Sequence, residues 1–210
     1  MSGAQPVVGF RMGARLAAAL VALTVPASAG TMTFRWADAA TCAGRCSSAI
    51  VAEGSIEEGA AERFRAMLQA SGDAGRHPLV ILNSPGGKIV AAMELGEAFR
   101  RAGATVTVAA PADYIPQAGI CFSSCVYAFM GAARRVAPPG SQIGVHRIFA
   151  WNGAKRHFAG EAMTAMLKRY TLAMGVSVEL VAVAEQIDPS QVRILTASEL
   201  ARWRLATASF

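Results

Sequence analysis

Two serines and a histidine are the residues of this 210-residue chain whose types and order best fit catalytic chemistry. Ser123 and Ser124 stand between Cys121 and Cys125, at the start of a run of small and apolar residues that favours a helix, and His146 ends a short apolar run downstream. A serine hydroxyl is a weak nucleophile unless a base lies within hydrogen-bond reach and amide donors stand where an oxyanion forms. We therefore expect Ser124 to be the nucleophile and His146 its base.

The same residues also have a purely structural interpretation. Serine is a common helix N-cap and contributes about 1 kcal/mol there. If the helix begins at Ser124, then Ser123 is the better cap candidate, and it is also the second candidate nucleophile. A histidine that ends a buried strand is often a hydrogen-bonded core residue. The other two histidines, His77 and His157, lie in a turn and a polar stretch and are interpreted as surface residues.

Adjacent glycines, Gly86 and Gly87, follow Asn83-Ser84-Pro85 between an apolar run and a predicted helix. The segment is either a plain turn, which glycine and proline favour, or a nest of backbone amides for an oxyanion. It lacks the G-x-x-x-x-G-K-[ST] pattern of a phosphate loop. We favour the amide nest.

Short apolar runs alternate with helical patterns along most of the chain, which predicts an α/β fold with a mainly parallel sheet. Runs that are apolar at every position are typical of strands covered on both faces. The strands are expected at 49–52, 79–82, 105–110, 142–145 and 194–195, and the helices at 60–70, 89–101, 124–133, 160–174, 177–186 and after Thr196, whose Thr-x-x-Glu pattern predicts a capping box. Residues 30–48 are expected to be irregular and 147–158 to be loop-like.

The first 29 residues have the pattern of a secretory signal peptide. Arg11 and Arg15 precede an apolar run from Leu16 to Val25, and an Ala-Ser-Ala site ends at Ala29. That run is about half the length of a membrane-spanning helix, which needs about 20 residues. We expect cleavage after Ala29, no stable membrane anchor afterwards, and a periplasmic or secreted protein. The domain organisation is then a signal peptide at 1–29, an N-terminal segment at 30–48 and a single domain at 49–210.

The formal charge is +6, and it falls to +4 when the signal peptide leaves with its two arginines. The chain has no Lys/Arg-rich run and no basic stretch interleaved with aromatic residues. Nucleic acid is therefore excluded as a partner class.

Four cysteines occur in two close pairs, Cys42 with Cys46 and Cys121 with Cys125. An even number in an exported protein indicates disulfides, and three connectivities are possible. Four cysteines can also hold zinc. We favour disulfides because both spacings are C-x3-C and the expected compartment is oxidising.

The segment from Leu82 to Gly87, the serine-led helix, Pro138 to Ile143 and His146 together resemble the Clp-type proteolytic subunit of the Clp protease/crotonase superfamily, especially its exported members. Order and rough spacing match from about Ile50 to Leu205. The resemblance implies a superhelix of β-β-α units, a serine peptidase acting on peptides or proteins, self-association, and no metal or cofactor. It also implies oxyanion amides from Gly86 or Gly87 and from Cys125.

The chain departs from the family pattern at the third catalytic position. The family's aspartate aligns with Val192, and the nearest carboxylate is Asp188, with Asp113 a weaker candidate. Because signal peptide peptidases of the same superfamily use lysine, a serine–lysine dyad with Lys155 or Lys168 is a further possibility.

The sequence thus favours an exported serine hydrolase, a peptidase, over two other classes of protein. One is a catalytically silent relative that binds peptides or partner proteins. The other is an acyl-CoA enzyme, which export disfavours because coenzyme A is a cytoplasmic cofactor.

Overall fold

The structure is a computed structural model that describes residues 30–37, 49–71, 77–111, 117–152 and 155–207. The predicted signal peptide, Cys42, Cys46 and Asp113 lie outside these ranges. In chain order the elements are β1 (Thr33–Trp36), β2 (Ala49–Glu53), α1 (Ala60–Ala70), β3 (Leu79–Asn83), α2 (Ile89–Arg101), β4 (Thr105–Ala110), β5 (Gln117–Ala118), β6 (Ile120–Phe122), α3 (Cys125–Gly131), β7 (Arg134–Val136), β8 (Gln142–Val145), β9 (Phe149–Asn152), β10 (Lys155–Phe158), α4 (Glu161–Ala173), α5 (Glu179–Ala184), β11 (Arg193–Ile194) and α6 (Ala197–Arg202).

The strands form a six-stranded sheet, a three-stranded sheet and a hairpin. In the large sheet β2, β3, β4 and β7 run parallel, while β1 and β5 pair antiparallel at its margins. In the small sheet β8 lies between β6, which is parallel to it, and β11, which is antiparallel. These observations confirm the α/β class and the mainly parallel sheet.

Burial on both faces explains why β2 and β3 are apolar at nearly every position. Ile50 and Val80 face the main core with α1, α2 and α3, whereas Val51 and Ile81 pack in a smaller cluster on the opposite face. This is the arrangement expected of parallel strands that are covered on two sides.

Close packing of α2 against α3 depends on two glycines. A Cβ on Gly131 would lie 2.3 Å from the backbone of Gly96, so neither position has room for a side chain. The Tyr170 hydroxyl on α4 stabilises this contact. Its proton is shared between two acceptors, the Tyr127 carbonyl at 3.0 Å and the Met93 carbonyl at 3.2 Å. Because α2 begins just after Gly87 and α3 just after Ser124, this packing holds two helix N-termini side by side.

Two segments are more regular than the sequence predicts. Residues 33–36, within the segment expected to be irregular, form β1 against β2, and residues 149–158 contain the β9–β10 hairpin. β1 is an antiparallel edge strand and β9–β10 is a separate antiparallel hairpin. Their short strands mix polar and apolar residues, so they lack the continuous apolar run of a buried strand. In the described ranges, no helix has the length and apolar character needed to cross a membrane.

Candidate active site

A tight turn between β6 and α3 carries the two serines. Ser123 has φ of 57°, in the left-handed region that non-glycine residues rarely adopt. The Ser123 amide donates to the Gly144 carbonyl on β8 at 2.9 Å, and its carbonyl accepts from the Val126 amide at 3.2 Å. Backbone hydrogen bonds to β8 and to α3 therefore fix the turn, and its conformation points the side chains of Ser123 and Ser124 in different directions.

The turn is also bracketed by a disulfide between Cys121 and Cys125, both of which are fully buried. This bond settles one of the open alternatives, because it excludes pairing of either cysteine with Cys42 or Cys46. It also removes both sulfurs as zinc ligands. Within the described ranges, no group of three or more histidine, cysteine or acidic side chains is placed to hold a metal ion.

A cavity of about 830 Å³ opens in front of Ser123, and we call it the Ser123 cavity. His146 and Gly87 line it together with Ser123, and its remaining wall residues are mostly apolar. The residues that complete the lining are Glu58, Pro85, Lys88, Ile89, Val90, Ala91, Glu94, Ile148, Phe149 and Ala150.

Ser124 does not line this cavity, contrary to the expectation that it is the nucleophile. Its side chain is buried, and its hydroxyl donates to the Gly87 carbonyl at 3.0 Å. Ser123, by contrast, lines the cavity, and its hydroxyl makes no hydrogen bond to any residue that the structure describes. The structure thus brings Ser123, rather than Ser124, to the same cavity as His146.

His146 is oriented by a backbone carbonyl. Its Nδ1 lies 2.9 Å from the carbonyl oxygen of Arg147, and because a carbonyl can only accept, Nδ1 must donate its proton there. The neutral imidazole then has its lone pair on Nε2, which is the state that a general base requires.

Asp188 does not occupy the position predicted for the third catalytic residue. It is exposed, and its Oδ1 accepts from the amide of Ser190 at 2.8 Å and from the hydroxyl of Ser190 at 2.6 Å. These contacts are those of an aspartate that stabilises a turn. Instead, Nδ1 of His146 donates its hydrogen bond to the Arg147 carbonyl.

Val192 lies where the family resemblance expects the aspartate. In the β11–β8 pair, Arg193 is opposite Val145, so the register carries Val192 to the position opposite His146. The Val192 side chain also covers Gly144, since a Cβ on that glycine would lie 2.4 Å from Val192 Cγ1. An alkyl group in this position gives the imidazolium no charge stabilisation.

The glycine loop contacts the serine turn directly. A Cβ on Gly86 would come within 2.9 Å of Ser123 Cβ and 3.2 Å of the Ser124 amide nitrogen, and one on Gly87 would lie 2.1 Å from the Ile56 carbonyl oxygen. Both residues also have positive φ, so each must be glycine.

Not all of the amides predicted for the oxyanion hole are free. The Gly86 amide donates to Ser84 Oγ at 3.1 Å. The amides of Gly87 and Ser124 have no acceptor among the described residues. The amide that directly follows Ser123 belongs to Ser124, whereas the sequence predicted Cys125 for the second oxyanion amide.

The lysines proposed for a dyad lie elsewhere. Lys155 and Lys168 are both exposed, and neither lines the Ser123 cavity. Lys88 does line it, but the side-chain hydrogen bond from its ammonium to Glu58, at 3.1 Å, raises the pKa of Lys88 and keeps it protonated. Sequence reasoning missed Glu58, Lys88 and Glu94 as cavity residues. The only available signal was that Lys88 and Glu94 closely follow the glycine loop.

The sequence matches no family model and no curated protein. The fold is nevertheless similar to solved protease structures. A serine-to-alanine mutant of the 1510-N membrane-bound stomatin-specific protease has 18% identity and a TM-score of 0.54, covering 74% of this chain and 75% of that chain. A lysine-to-alanine mutant of the same protease, in complex with a substrate peptide, has 18% identity and a TM-score of 0.55, covering 74% and 71%.

A third similar structure is ClpP1 from Listeria monocytogenes, with 14% identity and a TM-score of 0.52 over 74% of this chain and 86% of that chain. At such low identity the likeness concerns the fold alone. Together with the strand order, it shows that this chain has a Clp-type α/β fold.

Proposed function

We propose that this protein is a serine hydrolase that cleaves peptide bonds, with Ser123 as nucleophile and His146 as general base. The observation that carries the proposal is that three residues line one cavity: Ser123, His146 and Gly87. Peptides are the favoured substrate because the solved structures of similar fold are described as proteases, one of them with a bound substrate peptide.

In this mechanism Ser123 Oγ attacks the peptide carbonyl while His146 Nε2 accepts its proton. The imidazole then returns that proton to the leaving amine, and water releases the acyl group in the second half of the reaction. The amides of Gly87 and Ser124 hold the oxyanion, and losing one such donor typically costs about 10²–10³ in rate. Catalytic hydrogen bonds often tighten only when substrate binds, and we expect the Ser123–His146 hydrogen bond to form at that stage.

The third catalytic group is a backbone carbonyl in this proposal. The Arg147 carbonyl fixes the tautomer of His146 but carries no full negative charge to stabilise the imidazolium. Loss of the aspartate from a triad costs about 10⁴ in kcat. We therefore expect a slow peptidase compared with enzymes that have a complete triad.

We also propose that the protein acts outside the cytoplasm. The signal-like segment at 1–29 supports this location, and so does the Cys121–Cys125 disulfide, because disulfides persist in oxidising compartments.

Labelling with a fluorophosphonate tests the proposal. The purified chain from Gly30 onward should be labelled, and mass spectrometry of its peptides should place the label on Ser123. Ser123→Ala should abolish labelling. Ser124→Ala is the matched control, and it should keep the label at a cost of about 1 kcal/mol in stability for its lost hydrogen bond.

The alternative is a silent relative that binds peptides in the same cavity. A protein that resists labelling and hydrolyses no peptide, yet binds peptides, would support that alternative and reject the hydrolase. A label on Ser124 that survives Ser123→Ala would reject the assignment of the nucleophile.

A further inference from the structure

The Ser123 cavity extends away from the serine along the first turns of α2. Val90, Ala91 and Glu94 are successive contacts on this wall, and Glu94 lies four residues after Val90 and therefore on the same helix face. From Ile89, where the helix begins beside Gly87, to Glu94 the axis advances about 7.5 Å. The Glu94 carboxylate thus stands between one and two helical turns beyond the start of α2, which itself follows Gly87.

Charges in the cavity are only partly balanced. Glu58 pairs with Lys88 at 3.1 Å, which leaves this pair neutral. Glu94 forms no ion pair with any described residue. Most of the other lining residues are apolar, among them Val90, which is 49% exposed, and Phe149. The cavity therefore presents a negative end behind an aliphatic surface.

We propose that Glu94 selects peptides with arginine or lysine next to the scissile bond, an inference that rests on the proposed function. Both side chains place a stem of methylenes on apolar surface while the charged head reaches a polar partner. Their reach from Cα to the charged group, roughly 6–7 Å from standard bond lengths, matches the distance along α2 to Glu94. An arginine guanidinium can bind the carboxylate with two parallel hydrogen bonds.

The test uses a set of fluorogenic peptides that differ only at the residue before the cleaved bond, which is arginine, lysine, norleucine or glutamate. We expect kcat/KM for arginine to exceed that for norleucine at least tenfold. Glu94→Gln should remove this preference, so that the arginine and norleucine peptides are cleaved with similar kcat/KM. Glu94→Lys should favour the glutamate peptide over the arginine peptide.

Glu97→Gln is the matched control. Glu97 lies on the same helix, pairs with Arg101 at 3.3 Å, and does not line the cavity. This variant should retain the arginine preference. Equal rates for arginine and norleucine in the wild type, or an arginine preference that survives Glu94→Gln, would overturn the proposal.

Binding to Ser123→Ala, followed by fluorescence anisotropy with the same peptides, separates this inference from the hydrolase proposal. Tighter binding of the arginine peptide that is lost in Ser123→Ala/Glu94→Gln supports the role of Glu94 even if the wild type cleaves nothing. Cleavage by the wild type without any charge preference rejects the role of Glu94 and leaves hydrolysis intact. Failure of every peptide both to bind and to be cleaved rejects both.

Discussion

Arg193 pairs with Val145 across the antiparallel β11–β8 ladder, and one step further along the two strands brings Val192 opposite His146. The histidine thus has an aliphatic neighbour at the position where the sequence resemblance predicts an aspartate. Val192 is 41% exposed, so a charged replacement stays in contact with water and adds little folding cost. This site offers a direct way to test the mechanism.

Val192→Asp should increase kcat at least tenfold. A carboxylate beside the imidazole stabilises its protonated form in the transition state, which the Arg147 carbonyl does only weakly. The measurement is hydrolysis of a fluorogenic peptide at saturating concentration. Ile194→Asp is the matched control, since Ile194 is similarly exposed on the same strand but lies opposite Gly144. Equal rates for Val192→Asp and wild type would show that residue 192 does not act through His146.

The Cys121–Cys125 disulfide should matter more for activity than for folding. It closes a loop of only five residues, and the chain-entropy relation gives about 2 kcal/mol for such a loop. We expect Cys121→Ala/Cys125→Ala to lower the free energy of unfolding, measured in urea, by about that amount. The rate of fluorophosphonate labelling should fall at least tenfold, because the disulfide no longer holds the turn that carries Ser123. Labelling at the wild-type rate would show that the turn holds its shape without the bond.

Arg135 should be a main determinant of stability. Its side chain is 5% exposed, and its guanidinium donates to four carbonyl groups, those of Met130, Ala132, Arg204 and Leu205. Burial lowers the pKa of Arg135 to about 10, which still leaves it charged at neutral pH.

Arg135→Met removes all four of these hydrogen bonds, most of them to buried carbonyls, and should destabilise the protein by about 3–5 kcal/mol, measured by urea unfolding. Arg134→Met, at the exposed neighbouring position, should change stability by less than about 0.5 kcal/mol. Similar losses for the two variants would contradict the role of Arg135 in holding the C-terminal segment.

Glu199 should make stability depend on acid pH. A hydrogen bond from the Thr196 amide, followed by one from Arg193, lowers the pKa of Glu199 to about 2. The ordinary pKa of glutamate is about 4.3, so its stabilising contribution is complete above that value and is lost as pH falls through about 2.

Glu199→Gln keeps a capping side chain at this position but removes the titrating group. Urea unfolding from pH 5 to pH 2 should therefore show a smaller loss of stability in this variant than in the wild type. Identical pH profiles for the two proteins would mean that Glu199 does not carry the effect.

The fold could be predicted from the sequence because the elements that build it have strong local signals. The continuous apolar run at 79–82 and the capping box at Thr196 were both found where predicted. The β9–β10 hairpin at 149–158 was missed, because its strands lie away from the core and lack a regular apolar pattern.

The choice between Ser123 and Ser124 lay beyond sequence patterns. Both residues fit a helix start, and what separates them is a single backbone torsion, the φ of 57° at Ser123, which depends on the contacts of the turn with Gly86 and Gly144. The absence of a suitable aspartate was visible in the sequence at Val192. The hydrogen bond from His146 Nδ1 to a backbone carbonyl could not be predicted, because every residue has a carbonyl group and the sequence does not show which one lies close to the imidazole.

The left-handed backbone of Ser123 also bears on how this protein can be engineered. Glycine adopts that conformation without the steric penalty that a side chain brings, which is of the order of 1 kcal/mol. Ser123→Gly should therefore change stability little, because the relief of this strain is offset by the greater entropy of glycine in the unfolded chain, while peptidase activity is lost. Selection for thermal stability alone would therefore not retain the hydroxyl, so any search for more stable variants has to screen for turnover at the same time.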